Sequence, residues 1–352
     1  MQYEINHLHL ELSSLCNARC PLCPRNFQGF PANMGYTETN LDLDSVQKSL
    51  FPELLSKVTF VLINGNFGDF VMNPESVEII QYLKQHVHRD CKIEVHTNGS
   101  ARDRQFWSDL GSMNIAIKFN IDGIGETNNL YRQDTNFDTI IKNAQTFIAA
   151  GGYATWNMTV FDHNKHQIEQ VKVLAHQLGF AESTFRDTDR DHGPVYNRKG
   201  TKIHWFKDDW QWPDQIDQSF IQQRIADSMQ RPLPSTQHKT VSCWAKKNRS
   251  VYIAADGHVY PCCWVGHNPK SYRSHTGIAQ WNVEMSKYVH NNHAPTVGLE
   301  AALEWFDTMF ADLNTTKTPD VCYHNCKVKS KSDSGTTSVI VVRNGQKIRM
   351  LK

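Results

Sequence analysis

Apolar residues occupy every second position in Leu8, Leu10 and Leu12, the period of a strand with one face turned to a core. Similar strand-length runs recur down the chain, so that strands are predicted at about 7–12, 58–64, 92–97, 115–121, 154–161 and 182–186. Between them, helical patterns fall near 42–56, 75–87, 103–112, 136–149 and 165–178. Strands alternating with helices at this interval predict βαβ units and a parallel sheet, with ligands at the carboxyl ends of the strands. The pattern then changes. Residues 193–240 are polar, with Trp205, Trp210 and Trp212 among Pro213, Pro232 and Pro234, and so many aromatics predict a stretch that packs against a domain or covers a substrate. Further on, Asp256-Gly257 between two β-prone runs signals a hairpin, a helix is predicted over about 298–312, and the tail 338–350 reads as a last hairpin about Asn344-Gly345. The expected organisation is 1–192, 193–240 as a connecting segment, 241–330, and a tail 331–352.

At 352 residues the chain has room for one large domain and a smaller one. A net charge of +1 gives no footprint for nucleic acid, no apolar run reaches the length of a membrane span, and the start lacks the order of a signal peptide. A cytoplasmic protein with no membrane or nucleic-acid partner is expected. In that setting nine cysteines grouped in ligand-like spacings point to metal rather than disulfides. Cys91 stands apart and reads as a small buried hydrophobe.

Cys16, Cys20 and Cys23 form C-x3-C-x2-C directly after the first strand. Thiolates are the soft ligands of iron–sulfur clusters, and three on one loop can hold three irons of a [4Fe–4S] cube and leave the fourth open to a small molecule. A three-thiol zinc site and ordinary buried cysteines are the alternatives. Further polar segments follow the strand ends: Gly65 to Asp69, where glycines let the backbone approach a ligand; His96 to Ser100; Asn120-Ile121-Asp122-Gly123; Tyr131-Arg132; and Asn157 on the fifth strand. His163 and His166 lie three apart, but Asn164 reads as a helix N-cap with both at its mouth, and no metal role is assigned to them. The loop from Arg186 to Gly193 is densely charged, suited to a polar substrate or to solvent.

The cysteine spacing at this place resembles the signature of the radical S-adenosylmethionine (radical SAM) superfamily, and the six βα units are similar to its partial (β/α)6 barrel. Leu22 stands where that family usually has an aromatic residue. The resemblance implies a cluster on Cys16, Cys20 and Cys23 that binds SAM and, on reduction, yields a 5′-deoxyadenosyl radical that takes hydrogen from a substrate. It implies SAM contacts at Gly68 and Asp69 for the amino group, at Asn120, at Arg132 for the carboxylate, and at Asn157 for the ribose. A reductant such as flavodoxin or ferredoxin is the implied partner.

The second cysteine set, Cys243, Cys262, Cys322 and Cys326, can satisfy all four irons of another cube, or one zinc ion. Its arrangement is similar to the twitch domain, the shortened relative of the SPASM domain, a small hairpin-and-helix unit holding an auxiliary [4Fe–4S] cluster that takes up an electron. Cys263 is then surplus: a spare thiol, a hydrogen-atom donor, or a replacement for Cys262. The expected function is peptide or protein modification, with small-molecule dehydrogenation or epimerisation of a sugar-like substrate as the alternative. No dedicated peptide-recognition segment is identified, since the first strand begins near His7. A non-catalytic iron–sulfur carrier and a zinc-stabilised binding protein are the rivals of other classes.

Overall fold

The computed structural model describes residues 4–31, 36–188, 193–206, 211–229, 240–267, 285–289, 291–326, 328, 338–343 and 346–351. Its strands are β1 His7–Leu10, β2 Phe60–Ile63, β3 Lys92–Thr97, β4 Ala116–Asn120, β5 Tyr153–Val160, β6 Glu182–Asp187, β7 Gly193–Tyr196, β8 Lys202–Phe206, β9 Ser250–Ile253, β10 Val259–Tyr260, β11 Ser338–Arg343 and β12 Gln346–Leu351. All six strands expected from the apolar pattern are present, each within two residues of its expected ends.

The chain divides into two compact units, one of Met1–Leu15, Met34–Lys92 and Gln222–Ser334, the other of Cys16–Asn33, Ile93–Ile221 and Gly335–Lys352. In the first, the strand order is β10–β9–β1–β2, with β1 parallel to both neighbours. Strands β9 and β10 form the hairpin expected at Asp256-Gly257, where Gly257 takes a φ of +80° that a side chain would oppose. In the second unit, β3, β4, β5 and β6 run parallel in that order. The expected tail hairpin is present as β11 and β12, and β11 closes the edge of β6 antiparallel.

Helix starts follow their caps. Asp103 accepts the Phe106 N–H and Asn136 accepts the Thr139 N–H, opening Arg104–Ser112 and Phe137–Ala149 where the pattern predicts. Two expected helices are broken. The span 42–56 divides into Leu43–Ser49 and Pro52–Leu55, because Pro52 has no N–H to continue a helix and instead opens a new one. The span 298–312 divides into Leu299–Leu303 and Trp305–Ala311. The Trp-rich stretch packs in part, as expected: the Trp212 ring lies 6.1 Å from Phe27, and Tyr196 Oη donates to the Pro213 carbonyl at 2.8 Å. The Trp205 side chain, Trp210, Pro232, Pro234, Asn344, Gly345 and the charged residues Asp189 to His192 lie outside the described residues.

Parallel sheets are as a rule covered on both faces and apolar throughout. The β3–β6 sheet departs from this. One face carries Val95, Ile117, Phe119, Trp156 and Met158, all fully buried, with Trp107 and Phe147 of the two long helices 5.4 and 6.0 Å from the Phe119 ring. The other face is polar. Register sets His96 beside Lys118 in one row, and Asn120 beside Asn157 beside Thr184 in the next row towards the carboxyl ends. A polar face on a parallel sheet cannot serve as core, so it is the face to search for chemistry.

Candidate active site

The cysteine loop belongs to the second unit and is fixed from its middle. Arg19, buried between the first two cysteines, donates from Nε to Asp134 Oδ2 at 2.8 Å and from Nη1 to the Gly29 carbonyl, while its backbone N–H meets the Gln133 carbonyl at 2.9 Å. Burial would raise the Asp134 carboxyl, but Arg19 and Arg198 beside it hold it below its ordinary range. A turn from Cys20 to Asn26 completes the loop through Cys23 N to Cys20 O and Asn26 N to Cys23 O, at 3.0 and 3.1 Å. Leu22 packs with Tyr131 against Phe161 and Val195.

Side-chain donors face two of the three sulfurs. Asn98, just past β3, donates from Nδ2 to Cys16 Sγ at 3.7 Å and to Asn17 Oδ1 at 3.0 Å. Arg132 donates from Nη1 to Cys20 Sγ at 3.6 Å and from Nε to Asp122 Oδ2 at 2.6 Å. Asp122 has no exposed surface and also accepts the Thr159 N–H at 2.7 Å. Burial pushes the Cys20 thiol up, against the pull of Arg132. The sequence singled out Arg132 as a partner for a ligand carboxylate; in the fold it spans a buried carboxylate and a cysteine sulfur.

Asn120 and Asn157 stand at the carboxyl ends of β4 and β5, linked in series. Thr184 Oγ1 donates to Asn157 Oδ1 at 2.7 Å, and Asn157 Nδ2 donates to Asn120 Oδ1 at 2.8 Å. That orientation turns the Asn120 Nδ2 donors away from the relay. Asn164 corrects its sequence reading. It makes no side-chain cap; it is fully buried and accepts the Phe161 N–H at 2.7 Å while Nδ2 donates to the carbonyls of Asp122 and Thr159, both at 2.9 Å. The residue thus clamps the ends of β4 and β5 together. His163 stacks on Phe161 at 5.3 Å and meets His204 edge-on at 5.7 Å; burial, then His204 and His166, push its pKa down to about 4.

Gly68 and Asp69 belong to the first unit. A Cβ on Gly68 would come within 1.8 Å of the Ser13 carbonyl oxygen, so the glycine permits a close approach to the chain's own backbone, where the sequence suggested a ligand. The Asp69 N–H donates to the Leu15 carbonyl at 2.9 Å, and its Oδ1 accepts the Val71 N–H at 3.3 Å. Sequence reading missed Glu11, which is buried and holds this turn: Oε1 accepts the Phe67 and Gly68 N–H groups at 2.7 and 3.1 Å, and Oε2 accepts from Tyr252 Oη. Its signal was a carboxylate between Leu10 and Leu12 in the first apolar run.

The second cysteine set gathers in the same first unit. Cys322 and Cys326 lie on the helix Asp320–Cys326, Cys243 caps Trp244–Asn248, and Cys262 leads into Cys263–His267. Burial raises the Cys262 thiol well above its ordinary range, and Cys263, Cys322 and Cys243 lie near enough to raise it further. Cys326 is raised by burial and by Cys243; Cys263 is raised to about 11 by burial, with Glu11 and Cys326 adding. Backbone N–H groups of Lys246, Val265 and Trp244 serve Cys243, Cys262 and Cys326. Asn66, next to Phe67, donates from Nδ2 to the Cys263 carbonyl at 3.0 Å. None of the nine cysteines forms a disulfide, and Cys91 is buried as expected. Among the described residues no group of three or more His, Cys, Asp and Glu side chains is arranged to hold a metal ion, and no helix is long and apolar enough to cross a membrane.

No protein-family model matches the sequence, and a search of curated protein sequences gives no match. Solved structures do resemble the fold. Native anSMEcpe with bound AdoMet and Kp18Cys peptide is similar over 93% of this chain and 85% of its own, at 14% identity and a TM-score of 0.53. SuiB of Streptococcus suis is similar over 74% of this chain and 61% of its own, at 14% identity and a TM-score of 0.50. SuiB bound to precursor peptide SuiA is similar over 79% of this chain and 65% of its own, at 13% identity and the same TM-score of 0.50. The chain therefore spans about three fifths of the length of SuiB, and what it shares with these structures is an α/β fold with a mainly parallel sheet.

Proposed function

We propose, from a chain that has the fold of the radical SAM superfamily, that this protein is a radical SAM enzyme in which Cys16, Cys20 and Cys23 hold a [4Fe–4S] cluster and SAM. The observation that carries the reading is the pair of donors, Asn98 Nδ2 and Arg132 Nη1, on the sulfurs of Cys16 and Cys20. A plain structural thiol needs no guanidinium; a ligating thiolate gains from one, because charge-assisted donors stabilise sulfur in its anionic form. When bound, the cluster and SAM supply a reductive cleavage whose 5′-deoxyadenosyl radical takes a hydrogen atom from the substrate.

The chain's own residues do the rest. Asp122 keeps Arg132 charged and aimed at Cys20, and Arg19 with Asp134 fixes the loop. Thr184 and Asn157 orient Asn120 so that its amide N–H groups face a ligand's acceptors. Leu22, Tyr131 and Phe161 make the ground beside the cysteines apolar and keep water from it.

In the same reading Cys243, Cys262, Cys322 and Cys326 hold an auxiliary cluster in a twitch-like domain, with Cys263 left as a candidate hydrogen donor. The donor chemistry fits: four soft ligands, three of them served by backbone N–H groups. That cluster would accept the electron left after hydrogen abstraction, and a flavodoxin or ferredoxin would supply the first one. The proposed substrate is a peptide, supported by the fold likeness to SuiB with SuiA and to anSMEcpe with its peptide. Incubating the anaerobically reconstituted protein with SAM and dithionite tests the reading. 5′-Deoxyadenosine should form, and its absence from fully reconstituted protein rules the reading out.

A further inference from the structure

One row below Asn120, Asn157 and Thr184, the polar face of β3–β6 carries charge. Glu94 Oε1 accepts from His96 Nε2 at 2.8 Å and from Lys118 Nζ at 2.6 Å. The three side chains are 9, 20 and 27% exposed, so the cluster is mostly covered yet reachable. Arg186 rises from the same face of β6, opposite Thr159 in register, and is exposed. Burial, then Lys118 and Arg186, lower the pKa of His96, against the pull of the Glu94 carboxylate that accepts from its Nε2.

The arithmetic of charge then leaves an excess. Glu94 cancels Lys118, and Arg186 adds one positive charge. Glu182, in the row of Lys118, is itself balanced by Arg343. This face keeps donors to offer: two further protons on Lys118, the guanidinium of Arg186 and the amide of Asn120. A core residue pair would be closed on itself; this one offers donors and positive charge along an open face. We propose that this face binds a carboxylate of the substrate, with Lys118 and Arg186 as its donors, and so selects an acidic peptide. This rests on the reading of the protein as a radical SAM peptide-modifying enzyme.

The carboxylate can come from an acidic side chain or from a peptide C-terminus, and short probes separate the two. The probes are acetyl-Ala-Asp-Ala-amide, acetyl-Ala-Ala-Ala with a free carboxylate, and the neutral acetyl-Ala-Asn-Ala-amide, with binding to the full-length reconstituted protein in saturating SAM followed by NMR saturation transfer to the acetyl methyl group. One carboxylate probe should bind about tenfold tighter than the neutral one, and which one does so names the source. Lys118→Met should abolish that preference and Lys118→Arg should keep it. Because Lys118→Met leaves Glu94 without its cation, the double variant Glu94→Gln, Lys118→Met is measured beside it and should also lose the preference. A wild-type protein that does not distinguish the probes, a preference that survives in both Met variants, or a preference seen only without SAM overturns the proposal. Failure of the underlying reading shows separately, as no 5′-deoxyadenosine from the same preparation without peptide.

Discussion

Cys16, Cys20 and Cys23 share one loop pinned by Arg19, and donors on two of their sulfurs come from the side chains of Asn98 and Arg132. Cys243, Cys262, Cys322 and Cys326 arrive from three separate segments, and the donors on Cys243, Cys262 and Cys326 come from the backbone. The first loop is therefore braced by side chains, since a guanidinium–carboxylate pair and a buried arginine hold it in shape. In the second, burial raises the thiols of Cys262 and Cys326, and neighbouring cysteines raise both further. In the proposed reading, one cysteine site positions chemistry, while the other couples metal to folding.

Metal removal should give the largest separation between the two. Chelation, or Cys262→Ala, should lower the thermal midpoint by about 10 °C or more, whereas Cys16→Ala should leave it within a few degrees of wild type. Calorimetry on the wild type and both variants checks this, and equal losses would erase the distinction.

Next in size, Arg132→Met strands the fully buried Asp122 and should cost about 3–5 kcal/mol in urea unfolding, with Arg132→Lys recovering part of it. A loss below about 1 kcal/mol would mean that Arg132 does not hold the loop side of the first site. Asn164→Asp should cost about 2–3 kcal/mol, since a clamp loses the two bonds from Nδ2 that an N-cap would not need.

The smallest effect is a slope. His163 titrates at about 4 in the fold against its ordinary 6.5, so over that interval the unfolded chain binds a proton that the native protein does not. Stability should fall as pH drops from about 6.5 to about 4, and His163→Phe should flatten that fall by up to one proton in a series of urea midpoints. An unchanged slope would remove His163 from the account.

Much of this was legible in the chain. The six strands follow from apolar periodicity, and the cysteine loop from thiol spacing after the first of them. Of the polar face of the second sheet, Asn120 and Asn157 were singled out in the sequence, whereas Glu94 and Lys118, which alternate with apolar residues in the same strands, were not. What periodicity does not carry is which polar groups satisfy one another. Asn164 looks like a cap because Asn before a helix usually is one, yet three backbone groups from two strand ends claim its amide. Glu11 and Tyr252 meet across 241 residues, a distance at which no local pattern speaks. Arg132 was found by its place after β4, but its buried partner Asp122 emerged only when the chain folded back on Thr159.

The central claim, that the two cysteine sets are separate metal sites of different kinds, is tested most directly by the variant with Cys16, Cys20 and Cys23 all changed to Ala. Its iron and acid-labile sulfide content, after anaerobic reconstitution, should be about four of each per chain, with no 5′-deoxyadenosine formed from SAM. A folded variant that holds no iron, or one that still cleaves SAM, would contradict the account.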